Sequence, residues 1–100
     1  MKKIEAIVRE EKFKEICTML EGSGVGGLTV TEVRGFGHHR NGLAKKYKLE
    51  IYADEFQVDK TIDMIRKKAK TGTTGDGKIS VYTIDQLFRI RTGEEGASAI

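Results

Sequence analysis

Apolar and polar residues alternate over positions 2–9. Ile4, Ala6 and Val8 share one side of an extended chain, and Lys3, Glu5 and Arg9 fall opposite together with Ile7. A period of two predicts a half-buried strand. The period then changes: Phe13, Ile16, Cys17 and Leu20 recur at i, i+3, i+4 and i+7, which predicts a helix over 11–21. Gly22-Ser23-Gly24 end it with residues that tolerate left-handed backbone. Strand character returns over 27–37, where the apolar phase shifts between Val30 and Val33, as at a bulge or in a strand that divides its apolar residues between two faces. Gly35-Phe36-Gly37 closes this strand. The polar stretch from His38 through His39, Arg40, Asn41 and Gly42 to Leu43 is a short turn, with Asn41-Gly42 as its hairpin signal.

A third strand follows, with Tyr47, Leu49, Ile51 and Ala53 on one face. Asp54 and Gln57 form a capping-box pair, and Val58, Ile62, Ile65 and Ala69 continue a second helical stripe through residue 70. Thr71 to Gly77 is a glycine loop, and Ile79–Thr83 is a fourth strand. Asp85–Phe88 is expected to form one helical turn, Arg89-Ile90-Arg91 a short extended piece, and Gly93 onward a polar tail. The order β-α-β-β-α-β predicts an α+β fold, the ferredoxin-like βαββαβ arrangement: a four-stranded antiparallel sheet with two helices on one face. The length is that of one domain, 1–100. Ile7 and Tyr52 would lie on the sheet face without helices, and a symmetric oligomer is expected to cover them.

Composition narrows the function classes. With 38% hydrophobic and 33% charged residues the chain is an ordinary folding sequence. A net charge of +3 lacks the basic stripe of a nucleic-acid binder but admits a local phosphate site. A single cysteine, Cys17, precludes an internal disulfide and fits a reducing cytosol. No apolar run is long enough to span a membrane, and the opening residues lack a signal core, so a cytoplasmic location is expected. With twelve glycines and no proline, turns must come from glycine.

The most informative segment is Gly72-Thr73-Thr74-Gly75-Asp76-Gly77-Lys78. Glycines let main-chain N–H groups turn toward an anion as a nest, and Lys78 adds a point charge. Asp76 would repel phosphate if it faced inward, so it is expected to brace the loop. The spacing matches G-x4-G-K, but Ile79 stands where a P-loop needs Ser or Thr, and a strand follows instead of a helix. In an extended segment Arg89 and Arg91 would point the same way and suit two adjacent phosphates. Gly35-Phe36-Gly37 is either a tight strand exit or a point of close approach to a ligand. His38 and His39 are adjacent and make a poor metal pair, although histidine could add pH dependence to binding. Neither a zinc-ligand spacing nor a nucleophile constellation is present.

These residues resemble the PII signal-transduction family along nearly the whole chain. Met1-Lys2-Lys3-Ile4-Glu5-Ala6-Ile7 looks like its first strand, and Thr29 through Gly37 is similar to its second. Thr71-Gly72 with Gly75-Asp76-Gly77-Lys78-Ile79 looks like its B-loop, Arg89-Ile90-Arg91-Thr92-Gly93-Glu94 looks like its C-loop, and Ala99-Ile100 matches a common ending. The resemblance implies a homotrimer binding an adenine nucleotide (ATP, ADP or AMP, with magnesium left open) in the clefts between subunits. By position, Gly75, Asp76, Gly77 and Lys78 would hold the phosphates with Arg89 and Arg91. Ile7, Thr29, Gly37, Glu50 and the main chain of Tyr52 would surround base and ribose, beside Gly35, Phe36 and His38. The family also implies a regulated protein, an enzyme or membrane transporter linked to nitrogen metabolism, and no catalysis.

One departure stands out. The family's long T-loop is reduced here to about six residues, an ordinary hairpin length. Its uridylylated tyrosine segment is missing, and His39 stands where a loop glutamine helps to bind Mg-ATP and 2-oxoglutarate. Lys46 matches the lysine that pairs with 2-oxoglutarate, yet binding of that ligand is in doubt. A bicarbonate-type anion sensor, a slow ATPase and a purely structural trimer remain alternatives.

Overall fold

The structure, a computed structural model, describes residues 1–38 and 42–100. The hairpin signal Asn41 and the neighbouring His39 lie outside the described residues. The elements are β1 (Lys2–Arg9), α1 (Glu10–Glu21), β2 (Thr29–Gly35), β3 (Ala44–Ala53), α2 (Val58–Ala69) and β4 (Gly77–Thr83), with short 3-10 turns at Glu55–Gln57 and Gly96–Ala99. The strands form one antiparallel sheet in the order β2-β3-β1-β4. The fold is therefore α+β and ferredoxin-like, as the periodicities predict.

Alternation sets the two faces. Ile4, Ala6 and Val8 of β1 and Leu49, Ile51 and Ala53 of β3 are buried against Ile16 and Leu20 of α1 and Ile65 and Ala69 of α2. β1 and β3 occupy the middle of the sheet, so their apolar sides receive both helices. Phe13 stacks on Tyr47 at 3.8 Å between ring centroids and closes one end of this layer. Asp54 and Gln57 cap the entry to α2: the Asp54 N–H donates to Gln57 Oε1 at 3.1 Å, and the Gln57 N–H to the Asp54 carbonyl at 2.9 Å. None of the described helices is long and apolar enough to cross a membrane.

The opposite face carries no helix. Direct cross-strand partners share a face, so Ile7 stands between Lys48 and Lys78, and Lys3 between Tyr52 and Tyr82. Tyr52 and Tyr82 are 40% and 45% exposed. This open face holds Ile7, Thr29, Glu50, Tyr52 and Lys78, all singled out from the sequence.

Several local expectations change. The phase shift in β2 is not a bulge: the β2–β3 register runs unbroken from Thr29↔Glu50 to Gly35↔Ala44, and Val30 and Val33 lie on opposite faces. In α2 the buried position is Thr61, while Ile62 is only half-buried, because the helix turns its Thr61–Ile65–Ala69 row to the sheet. Asp85–Phe88 is not helical; Phe88 instead bridges to Glu95. Arg89-Ile90-Arg91 is not extended, because Gly93 donates its N–H to the Arg89 carbonyl and Arg89 its N–H to the Glu94 carbonyl, both at 2.8 Å, which closes a reverse turn. The segment beyond Gly93 folds back, with the Gly96 N–H on the Leu87 carbonyl.

Candidate functional site

The loop between α2 and β4 is built around one carboxylate. Asp76 Oδ2 accepts the main-chain N–H groups of Thr71 and Gly72, each at 2.8 Å, and Asp76 Oδ1 accepts the Thr71 hydroxyl. Arg9 reaches it from the end of β1, with Nε 3.0 Å from Asp76 Oδ1. These donors favour the ionised form, the Thr71 hydroxyl most and then the two amides and Arg9; together they outweigh desolvation and hold the Asp76 carboxyl well below the usual carboxylate range. Asp76 is thus turned into the loop, the bracing role expected from charge alone.

The loop's other contacts are cationic. Arg9 Nη2 donates to Thr73 Oγ1 at 2.9 Å and to the Thr74 carbonyl at 2.7 Å, and Lys46 Nζ donates to the Gly75 carbonyl at 2.7 Å. At its exit the loop passes so close to β1 that only glycine fits: Gly77 has φ +108°, and β4 starts there opposite Val8. Lys78 follows on the open face, exposed and directly opposite Ile7.

The sequence-derived residues gather in distinct clefts of the single subunit. Gly35, Phe36, Gly37, His38 and Gly75 line a cleft of about 370 Å³ together with Arg9, Lys46, Thr73 and Thr74. Ile7, Asp76, Gly77 and Lys78 line another of about 450 Å³ against Ile65 and Arg66 of α2. Thr29, Glu50 and Tyr52 border a small one of about 110 Å³, shared with Gly26, Leu28 and Ile100. Thr29 and Glu50 are direct cross-strand partners. Lys3 Nζ lies 3.4 Å from Glu50 Oε2, and that contact raises the Lys3 pKa.

Arg89 and Arg91 line none of these clefts among the described residues. Arg89 is engaged by Glu94 at 3.0 Å and by the Ile100 carbonyl at 3.0 Å. Arg91 is exposed within the turn. Their expected convergence on one side of a strand is corrected by the turn that separates them.

Sequence reasoning named Lys46 only as the match to a 2-oxoglutarate lysine and Thr73 and Thr74 only as members of the glycine segment, and it did not include Arg9 among the site residues. Arg9 had one usable signal, since it sits two residues after Ile7 and so on the same side of β1. Among the described residues no group of three His, Cys, Asp or Glu could hold a metal.

Comparison with known proteins agrees with this architecture. A family profile described as "Nitrogen regulatory protein P-II" matches residues 1–94. Proteins named Nitrogen regulatory protein P-II from Pasteurella multocida and a Synechocystis species are 43% and 42% identical to this chain, over the whole of both chains in each case. A "Nitrogen regulatory protein P-II 2" from Methanothermobacter thermautotrophicus is 43% identical across the whole of this chain and 97% of its own. These alignments extend over 112 positions where this chain supplies 100 residues, so the relatives carry about a dozen positions that it lacks.

Proposed function

The chain belongs to the nitrogen regulatory protein P-II family, and from that premise we propose that it is a regulator that binds an adenine nucleotide (ATP, ADP or AMP) and passes its occupancy to a target protein. The observation that carries this is the glycine loop. Its own carboxylate is committed to bracing, holding the main chain of the loop from within, and Lys78 stands apart from the brace on the adjoining strand. A braced glycine loop beside one lysine suits a phosphate chain.

The working unit is a homotrimer with the nucleotide between subunits. The helix-free sheet face with Tyr52 and Tyr82 half exposed supports this, as does the placing of Arg89 and Arg91 away from the clefts around their own loop. Arginines that do not reach their own loop are suited to a neighbour's. Thr29, Glu50 and Tyr52 would then meet base and ribose, and Gly75, Gly77 and Lys78 the phosphates. The target is an enzyme or membrane transporter linked to nitrogen metabolism, reached in the cytoplasm. Nucleotide can switch such a target only by binding one state of the trimer better than the other. The carboxylate beside Lys78 in the chain, Asp76, is engaged by Thr71, Gly72 and Arg9, which favours regulation over ATP hydrolysis.

Calorimetric titration with ATP, ADP and AMP, each with and without magnesium and 2-oxoglutarate, tests this. Saturable binding that is lost in Lys78→Ala supports it, and the absence of binding by all three nucleotides overturns it. A native mass near three times 11.2 kDa is expected, and a monomer would remove the inter-subunit site.

A further inference from the structure

Arg9 and Lys46 are direct cross-strand partners on the open face of β1 and β3. Two like charges placed opposite one another in a sheet repel unless something between them carries the opposite charge or dipole. Here the loop itself fills that role. Arg9 takes the Asp76 carboxylate, the Thr73 hydroxyl and the Thr74 carbonyl, and Lys46 takes the Gly75 carbonyl. Glu11 gives Arg9 a further, looser contact at 3.7 Å.

The consequence is directional. In a trans peptide the C=O and the next N–H point to opposite sides. Drawing the carbonyls of Thr74 and Gly75 toward Arg9 and Lys46 therefore turns the N–H groups of Gly75 and Asp76 away from those cations. Consecutive N–H groups facing one side are what a nest requires. Gly75 is held closely: a Cβ there would lie 3.1 Å from Arg9 Nη2, and its φ is +100°. Arg9 is well placed to hold it, because its main chain is fixed twice, as the last residue of β1 and as the N-cap of α1.

We propose that Arg9 is a positioning residue for nucleotide binding, one that never touches the ligand but holds the 71–77 loop, through Asp76, Thr73 and Thr74, in the conformation that receives phosphate. The proposal rests on the nucleotide reading given above. It also predicts a thermodynamic unit. Arg9 and Asp76 share one contact and each makes others, so their losses are less than additive: removing both costs less than the sum of removing each.

The test uses the full chain as wild type, Arg9→Met, Asp76→Asn and the double variant. Each is titrated with ATP and with adenosine, and hydrogen exchange is followed at the Thr71 and Gly72 amides without ligand. If loosening lowers the receptive fraction of the loop to about a tenth, the ATP dissociation constant rises about tenfold in each single variant. In the double variant it rises by less than the product of the two single losses, adenosine binding stays unchanged, and both amides exchange faster. Unchanged ATP affinity overturns the proposal even if exchange quickens. An equal loss of adenosine binding also overturns it, since that would mark general damage to the fold. Should wild type bind no nucleotide, the nucleotide reading falls by itself and exchange decides the brace: faster exchange in Arg9→Met retains it, and unchanged exchange removes it.

Discussion

A Cβ placed on Gly77 would sit 1.8 Å from the carbonyl oxygen of Ile7. No side chain fits in that space, and the φ of +108° is strained for any L residue. The same contact sets the point at which the loop meets β4. Gly77→Ala is expected to destabilise the protein by roughly 3 kcal/mol or more, combining backbone strain with a steric clash against main chain. Thermal melts check this; a fall of less than about 5 °C, under roughly 1 kcal/mol for a domain of this size, contradicts the close approach.

Asp76 links the loop to pH. Its carboxyl is held below the usual range in the folded protein by Thr71, Gly72 and Arg9, so the unfolded chain binds more protons around and below the ordinary aspartate value of about 3.9. The contribution is complete above that value and is lost as pH falls through the depressed one. Melting temperatures from pH 6 to pH 2 should decline below about pH 4, and Asp76→Asn should flatten part of that decline. Parallel curves for the two proteins would show that the brace does not titrate as argued.

Cys17 packs beside the core, and burial, aided by the nearby charge of Glu21, pushes its thiol pKa up. The thiolate is the reactive form, so alkylation by iodoacetamide at pH 7 should be slower than for a free cysteine peptide and should quicken as pH rises. Rapid labelling of the folded protein at pH 7 is the contrary result.

Leu49 is fully buried in the second of the two central strands. Leu49→Ala is expected to cost about 2–5 kcal/mol, from lost apolar burial and the cavity left between the sheet and helices. Urea denaturation monitored by circular dichroism measures it. A cost under about 1 kcal/mol would place the core elsewhere.

Much of the fold was legible because local patterns encode it. The alternation of Ile4, Ala6 and Val8 and the spacing of Ile16 and Leu20 mark the buried faces, and Asp54 with Gln57 announces α2. The bracing role of Asp76 was legible too, since a carboxylate in a tight glycine loop must find donors of its own. The segment after β4 was not. Asp85–Phe88 has helical spacing but is drawn into a bridge with Glu95, and the arginine pair is bent apart by hydrogen bonds closing the Arg89–Gly93 turn. Each of those outcomes depends on partners several residues away, which a window of periodicity does not weigh.

The order of strands and helices, the buried faces of β1 and β3 and the glycine loop with Lys78 follow from the sequence alone, since dihedral preference, side-chain period and charge act over a few residues. Tertiary structure decided what surrounds the loop. Arg9 lies 67 positions from Asp76, and Lys46 lies 29 from Gly75. They meet only because β1 lies between β3 and β4 in the sheet. Strand pairing across such distances is selected by the burial of the whole apolar face, and only with that pairing do two ordinary surface cations come to hold the glycine loop.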